Sequence, residues 1–134
     1  MTTPVDFETI ERPDSPNTYL LAPEGLCKTA SVDEPSPSFD ATPRALFDRV
    51  EALVGSYKNW STETRDEAQL QLDLIAKTKL LKFKDDVAIR VLPDSSTPEK
   101  SRLAIYSRSR VGYSDLGANR KRVQSLVAAL KEKG

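Results

Sequence analysis

A chain of 134 residues, 38% hydrophobic and 30% charged, has the size and composition of one soluble globular domain with a buried core. It contains no histidine, which excludes a Ser-His-Asp or Cys-His arrangement and any histidine-bearing metal site, and its lone Cys27 excludes an internal disulfide. No apolar run reaches the length of a membrane span and the N-terminus lacks the features of a signal peptide, so a cytoplasmic location is expected.

The zero net charge hides a division. Residues 1–67 carry 6 Lys/Arg against 13 Asp/Glu, whereas residues 68–134 carry 14 against 7. An acidic segment lying over a basic one accounts for this better than a nucleic-acid interface, because nucleic-acid binding relies on basic surface that is left uncompensated.

Seven of the nine prolines fall within residues 1–43. That density predicts an extended arm of turns over residues 1–41, without helix or central strand, packed on a single α+β domain formed by residues 42–134. Tyr19, Leu20 and Leu21 form an apolar knot after the turn Asp14-Ser15-Pro16, and Phe39 supplies a second anchor. Thr42-Pro43 then opens a helix, with the threonine as N-cap and the proline at the first helical position, and Leu46, Phe47, Val50, Leu53 and Val54 on one face. Trp60 to Thr64 form a short strand, followed by a charged turn at Arg65, Asp66 and Glu67.

From Ala68 the period becomes two. Leu70, Leu72, Leu74 and Ala76 oppose Gln71, Asp73, Ile75, Lys77 and Lys79. Leu80 to Asp86 read as a hairpin connection, and Val87, Ile89 and Val91 as the core face of the next strand. The last strand puts Leu103, Ile105, Ser107, Ser109 and Val111 on one face and Ala104, Tyr106, Arg108 and Arg110 on the other. Gly112 allows a turn, Ser114 or Asp115 caps a closing helix, and Leu116, Asn119, Val123, Leu126, Val127 and Leu130 make its apolar stripe. Asn119 is the polar exception; its side chain is expected to bond the preceding turn and tighten the strand-to-helix corner. The expected fold is a curved antiparallel sheet of three to five strands, with both helices on one face and the proline-rich arm extended.

The second face of that sheet gathers Lys77, Lys79, Arg90, Arg102, Arg108 and Arg110, interleaved with Ile75, Ala88, Leu92 and Tyr106. A face open to solvent has no need of those apolar residues, so either the acidic arm or an anionic or amphipathic ligand is expected to lie across it. The candidate binding residues are Lys79, Arg90, Tyr106, Arg108, Arg110, Ser114, Asp115 and Asn119. Arginine suits a carboxylate or phosphate because its planar fork gives two parallel bonds, and a turn leading into a helix presents free backbone amides. The competing account pairs these arginines with Asp73, Asp85, Asp86, Asp115 or the arm.

Three blocks carry a resemblance: Asp14-Ser15-Pro16-Asn17; Phe83 with Asp85-Asp86-Val87-Ala88-Ile89-Arg90-Val91; and Ser107-Arg108-Ser109-Arg110-Val111-Gly112-Tyr113-Ser114-Asp115-Leu116-Gly117-Ala118-Asn119. Over roughly Arg12 to Leu130 the chain resembles an uncharacterised bacterial family, domain of unknown function 1499. The resemblance implies no established activity, and it leaves peripheral association with an envelope open.

The expectation is therefore a non-enzymatic binding domain that needs no cofactor and no metal. Its partner would be an anionic small molecule or lipid, with a protein partner as an alternative and nucleic acid disfavoured. An enzyme would have to work through Asp115 with Ser107 or Ser109 and Lys79. An RNA or protein module would use Arg120, Lys121 and Arg122, which more commonly form a solvated helix face.

Overall fold

The computed structural model describes residues 4–78, 82–112 and 114–132. Among these residues an open sheet of six strands carries two helices, which makes the fold α+β. In chain order the elements are β1 (Thr18–Ala22), β2 (Glu34–Pro35), α1 (Pro43–Gly55), β3 (Trp60–Asp66), β4 (Gln71–Lys77), β5 (Lys84–Pro93), β6 (Ser101–Ser109) and α2 (Ala118–Glu132). The strands lie in the order β2-β1-β6-β5-β4-β3, antiparallel throughout except for the parallel pair β1–β2.

Six strands replace the expected three to five, and the sheet is mixed. The additional strands come from the proline-rich segment, where β1 is an inner strand paired with β6 from Thr18↔Arg108 to Leu21↔Ile105. Proline removes a ladder donor only at its own position, and Thr18–Ala22 contains none. β3 also runs into the expected charged turn, to Asp66, and β5 begins at Lys84, inside the expected connection. Leu80 and Leu81 of that connection, and the candidate Lys79 before it, lie outside the described residues.

Both helices pack on one face. The Thr42 hydroxyl accepts from the Ala45 amide (3.2 Å) and Pro43 sits in the first turn, as the sequence indicates. α1 buries Leu46, Phe47, Val50 and Val54; α2 buries Val123, Leu126, Val127 and Leu130. They meet Leu72, Leu74, Val87, Ile89, Leu103 and Ile105 from the sheet. Each such aliphatic side chain contributes about 1.5–3 kcal/mol when fully buried. β3 remains an edge strand of polar residues, closed over α1 by Arg65, which holds Glu51 and lies over the Phe47 ring.

Leu116 does not join the stripe of α2. It lies before the helix with φ +54° and is 92% exposed, so the spacing from 116 to 119 was fortuitous and the helix starts at Ala118.

The arm covers the second face. Phe7, fully buried, packs with Leu20 and Ala22 of β1, Ala88 of β5, and Ala104 and Tyr106 of β6, with Val5, Ile10, Leu26, Cys27, Ala30 and Leu92 around them. The contact is apolar and not ionic. Among the described residues no arm carboxylate pairs with a sheet arginine; Arg12 and Lys28 answer Asp33 and Glu8 within the arm itself. The arm is fastened instead at Val5, whose amide donates to Asp73 Oδ2 (2.9 Å) and whose carbonyl accepts from Gln71 Nε2 (2.8 Å).

Candidate functional site

The candidate residues separate into two places on opposite sides of the sheet. Ser114, Asp115 and Asn119 build the corner between β6 and α2. Asp115 Oδ1 accepts from the Gly117 amide (2.8 Å), and its Oδ2 accepts from the Asn119 amide (3.1 Å) and side-chain Nδ2 (2.6 Å). Burial alone would raise the Asp115 pKa, but the Asn119 side chain and the Gly117 and Asn119 amides together hold it below the ordinary value. The exposed Ser114 accepts the Leu116 amide through its Oγ (3.3 Å).

Asn119 is wholly buried and forms the centre of a polar network. Its Oδ1 accepts from Ser107 Oγ (2.6 Å) and Arg122 Nη1 (2.8 Å). Its Nδ2 reaches the Asn17 carbonyl (2.9 Å), Ser109 Oγ (2.9 Å) and Asp115. The expected corner-tightening role is the one its contacts describe, extended across to the arm through Asn17. Sequence reading missed Arg122, which it placed on a solvated flank. Its side chain is 15% exposed and joins Asp85, 5% exposed, at 2.8 Å. The signal was the i,i+3 spacing from Asn119, which puts both side chains on neighbouring positions of one helix face. This network also engages Ser107, Ser109 and Asp115.

Arg90, Tyr106, Arg108 and Arg110 are associated with the other face or its end, and their situations differ. Arg110 forms a two-pronged pair with Asp86 (Nε–Oδ2 3.0 Å, Nη2–Oδ1 2.7 Å), which raises its pKa. Arg90 is half-buried beside Ala104 and Gln71, and its buried Nε has no hydrogen-bond partner among the described residues. Tyr106 is 6% exposed, and its hydroxyl meets hydrogen-bond geometry with none of them. Burial raises the Tyr106 pKa, against the opposing charges of Arg108 and Arg12 and the neighbouring Thr18 hydroxyl. Arg108 is exposed, and its side chain forms neither an ion pair nor a hydrogen bond among the described residues.

The register explains a recess beside Arg108. On the second face Ala88 stands between Tyr106 on β6 and Asp73 on β4, and its methyl leaves a gap between the two larger side chains. The result is a cavity of about 130 Å³ closed on one side by Val5 of the arm. Arg108 and Asp86, a pair in register, lie at its rim, and Glu63 reaches it from β3. Glu63 sits at an irregularity where the pairing slips between Thr62 and Thr64, an extra residue that redirects the side chain. No group of three or more His, Cys, Asp or Glu able to hold a metal occurs among the described residues. No helix of the described residues is long and apolar enough to cross a membrane.

No curated protein matches the chain. Among solved structures, a structural-genomics target from Nitrosospira multiformis superposes with a TM-score of 0.53 over 73% of this chain and 92% of its own, at 10% identity, a likeness of fold alone. The family model described as "Protein of unknown function (DUF1499)" matches residues 9–130, nearly the whole chain, and the protein belongs to that family.

Proposed function

We propose that this protein is a binding domain whose ligand site is the recess over Ala88, with Arg108 receiving a carboxylate or similar anionic group. The observation that carries the proposal is the state of Arg108: a guanidinium without a partner among the described residues at the rim of a cavity that the arm leaves open. Arginine's fork is suited to a planar anion, and a recess bounded by an aromatic ring and an alanine methyl accepts the apolar part of a small ligand. Arg110 is held by Asp86 and Arg90 lies among residues next to the arm, so the site is narrower than the basic face expected from sequence. In this proposal residues 1–41 act as the cover that walls the site, and residues 42–134 as the body that carries it.

Binding is favoured over catalysis because Ser107, Ser109 and Asp115 bond Asn119 at the corner between β6 and α2, and none of them lines the recess. The test is a thermal-shift screen of carboxylates, phosphates, nucleotides, anionic lipids and short RNAs on the wild type and Arg108→Ala. A ligand stabilises only by binding the folded state. A carboxylate should raise the wild-type melting temperature and leave the variant unmoved. Equal shifts in both proteins, or a variant that melts far lower with no ligand effect in either, would make Arg108 structural and overturn the assignment.

A further inference from the structure

The walls of the recess carry more information than Arg108 alone. Three carboxylates line it, Glu63, Asp73 and Asp86, against the single guanidinium of Arg108. Arg110 neutralises Asp86 through its two-pronged contact, which leaves Glu63 and Asp73 as the remaining carboxylates of a lining that also holds Arg108. A simple anion on Arg108 would therefore share the recess with two negative groups, whereas a ligand that also bears a positive group would satisfy both kinds of charge.

Asp73 is built to serve that second role. It is 5% exposed, and each oxygen is already fixed by one donor, Gln71 Nε2 on Oδ1 (2.9 Å) and the Val5 amide on Oδ2 (2.9 Å). A carboxylate has about four lone-pair sites, so acceptor capacity remains for a further N–H donor. Tyr106, nine-tenths buried, supplies the opposite wall, across Ala88 from Asp73. Size sets the last limit. A cavity of about 130 Å³ equals roughly four water volumes, enough for a molecule of roughly five or six heavy atoms.

We infer that the recess takes a small zwitterion, an amino acid with little or no side chain, with its carboxylate on Arg108 and its ammonium toward Asp73 and Glu63. This rests on the Arg108 proposal above and narrows it. Glu63, exposed at the irregularity in β3, supplies the second carboxylate at the mouth of the recess.

The experiment is a nuclear magnetic resonance titration of the full chain with glycine, alanine, β-alanine, acetate and methylammonium, following the amides of Ala88, Tyr106 and Arg108. The amino acids should give saturable shifts and bind at least about tenfold more tightly than acetate or methylammonium, since each of those makes only one of the two charged contacts. Arg108→Ala should abolish amino-acid binding, and Glu63→Gln should weaken it several-fold while leaving acetate binding no weaker. If acetate binds as tightly as glycine and loses its site in Arg108→Ala, the zwitterion is wrong and the Arg108 anion site stands. If methylammonium binds alone and is indifferent to Arg108→Ala, both fall. If none of the five shifts these amides, the zwitterion falls and only the larger anions of the thermal screen can still support Arg108.

Discussion

Asn119→Ala removes five hydrogen bonds from a side chain with no solvent exposure: those from Ser107 and Arg122 onto Oδ1, and those from Nδ2 to Asn17, Ser109 and Asp115. Several of the abandoned groups keep one partner. Asp115 Oδ2 retains the Asn119 amide, the Asn17 carbonyl retains the Ser109 amide, and Arg122 retains Ser107 and Asp85. The loss therefore lies nearer the net value of a hydrogen bond, about 1 kcal/mol each and somewhat more for the two charged partners, than the full cost of orphaned groups. The sum is about 6 kcal/mol. For a chain of this size that corresponds to a melting temperature lower by about 18–25 °C. Urea denaturation followed by far-ultraviolet circular dichroism measures it directly. The near-isosteric Asn119→Asp separates bonding from volume: it sets an oxygen where Nδ2 now lies 2.6 Å from Asp115 Oδ2, and should be destabilised at neutral pH with partial recovery as pH falls and one carboxyl of the pair takes up a proton. A cost under about 1 kcal/mol for Asn119→Ala would refute the view that this network holds the corner.

Other substitutions probe other parts of the fold. Leu116→Asn should raise stability by about 0.5–1 kcal/mol in chemical denaturation, because asparagine tolerates the left-handed backbone at φ +54° and the leucine is almost fully exposed. Arg122→Met leaves the Asp85 carboxylate buried without its cation and should cost about 3–5 kcal/mol, most of which Asp85→Asn in the same chain should restore. Phe7→Ala should cost about 3–5 kcal/mol, as for a residue of the principal core; a negligible loss would mean the arm is dispensable cover. The Tyr19 pKa is raised to about 12, by burial first and then by the hydrogen bond to Glu34. The neutral phenol is thus the form the fold favours: its contribution is full below the unfolded value of about 10 and fades as pH rises through 12, and Tyr19→Phe should remove this alkaline limb from the pH–stability curve. Asp94 behaves oppositely. Hydrogen bonds from Ser38 and Ser96 lower its pKa to about 2, so its contribution is present above about pH 4 and lost as pH falls toward 2, and Asp94→Asn should flatten the acid limb.

The legible parts of the fold were those in which local chemistry and periodicity agree. Thr42-Pro43 and the 46-47-50-54 spacing gave α1, and the alternation through Val87–Val91 and Leu103–Ser109 gave β5 and β6 with the correct faces. The β1 strand was hidden because prolines on either side of Thr18–Ala22 were read as governing the whole segment, although they constrain only themselves and the residue before. The arm's apolar anchors were hidden for a different reason: Phe7, Ile10 and Leu26 follow no period, since an irregular chain crosses a sheet at whatever positions its turns allow. At the site, residue types were visible but partners were not. That Arg110 meets Asp86 while the Arg108 side chain has no partner among the described residues, and that Ala88 falls between Tyr106 and Asp73, follow from strand register, which couples residues about 15–25 apart in sequence and leaves no local trace. Asn119 was the exception, because an amide on an apolar stripe announces itself.

Ala88→Ile tests the binding account most directly, since it fills the gap between Tyr106 and Asp73 with a larger side chain and leaves Arg108 in place. Titrated with acetate and glycine under conditions where the wild type binds, a folded Ala88→Ile variant should show no saturable shift at the Tyr106 and Arg108 amides. Binding of wild-type strength in that variant would place the ligand elsewhere and contradict the recess as the site.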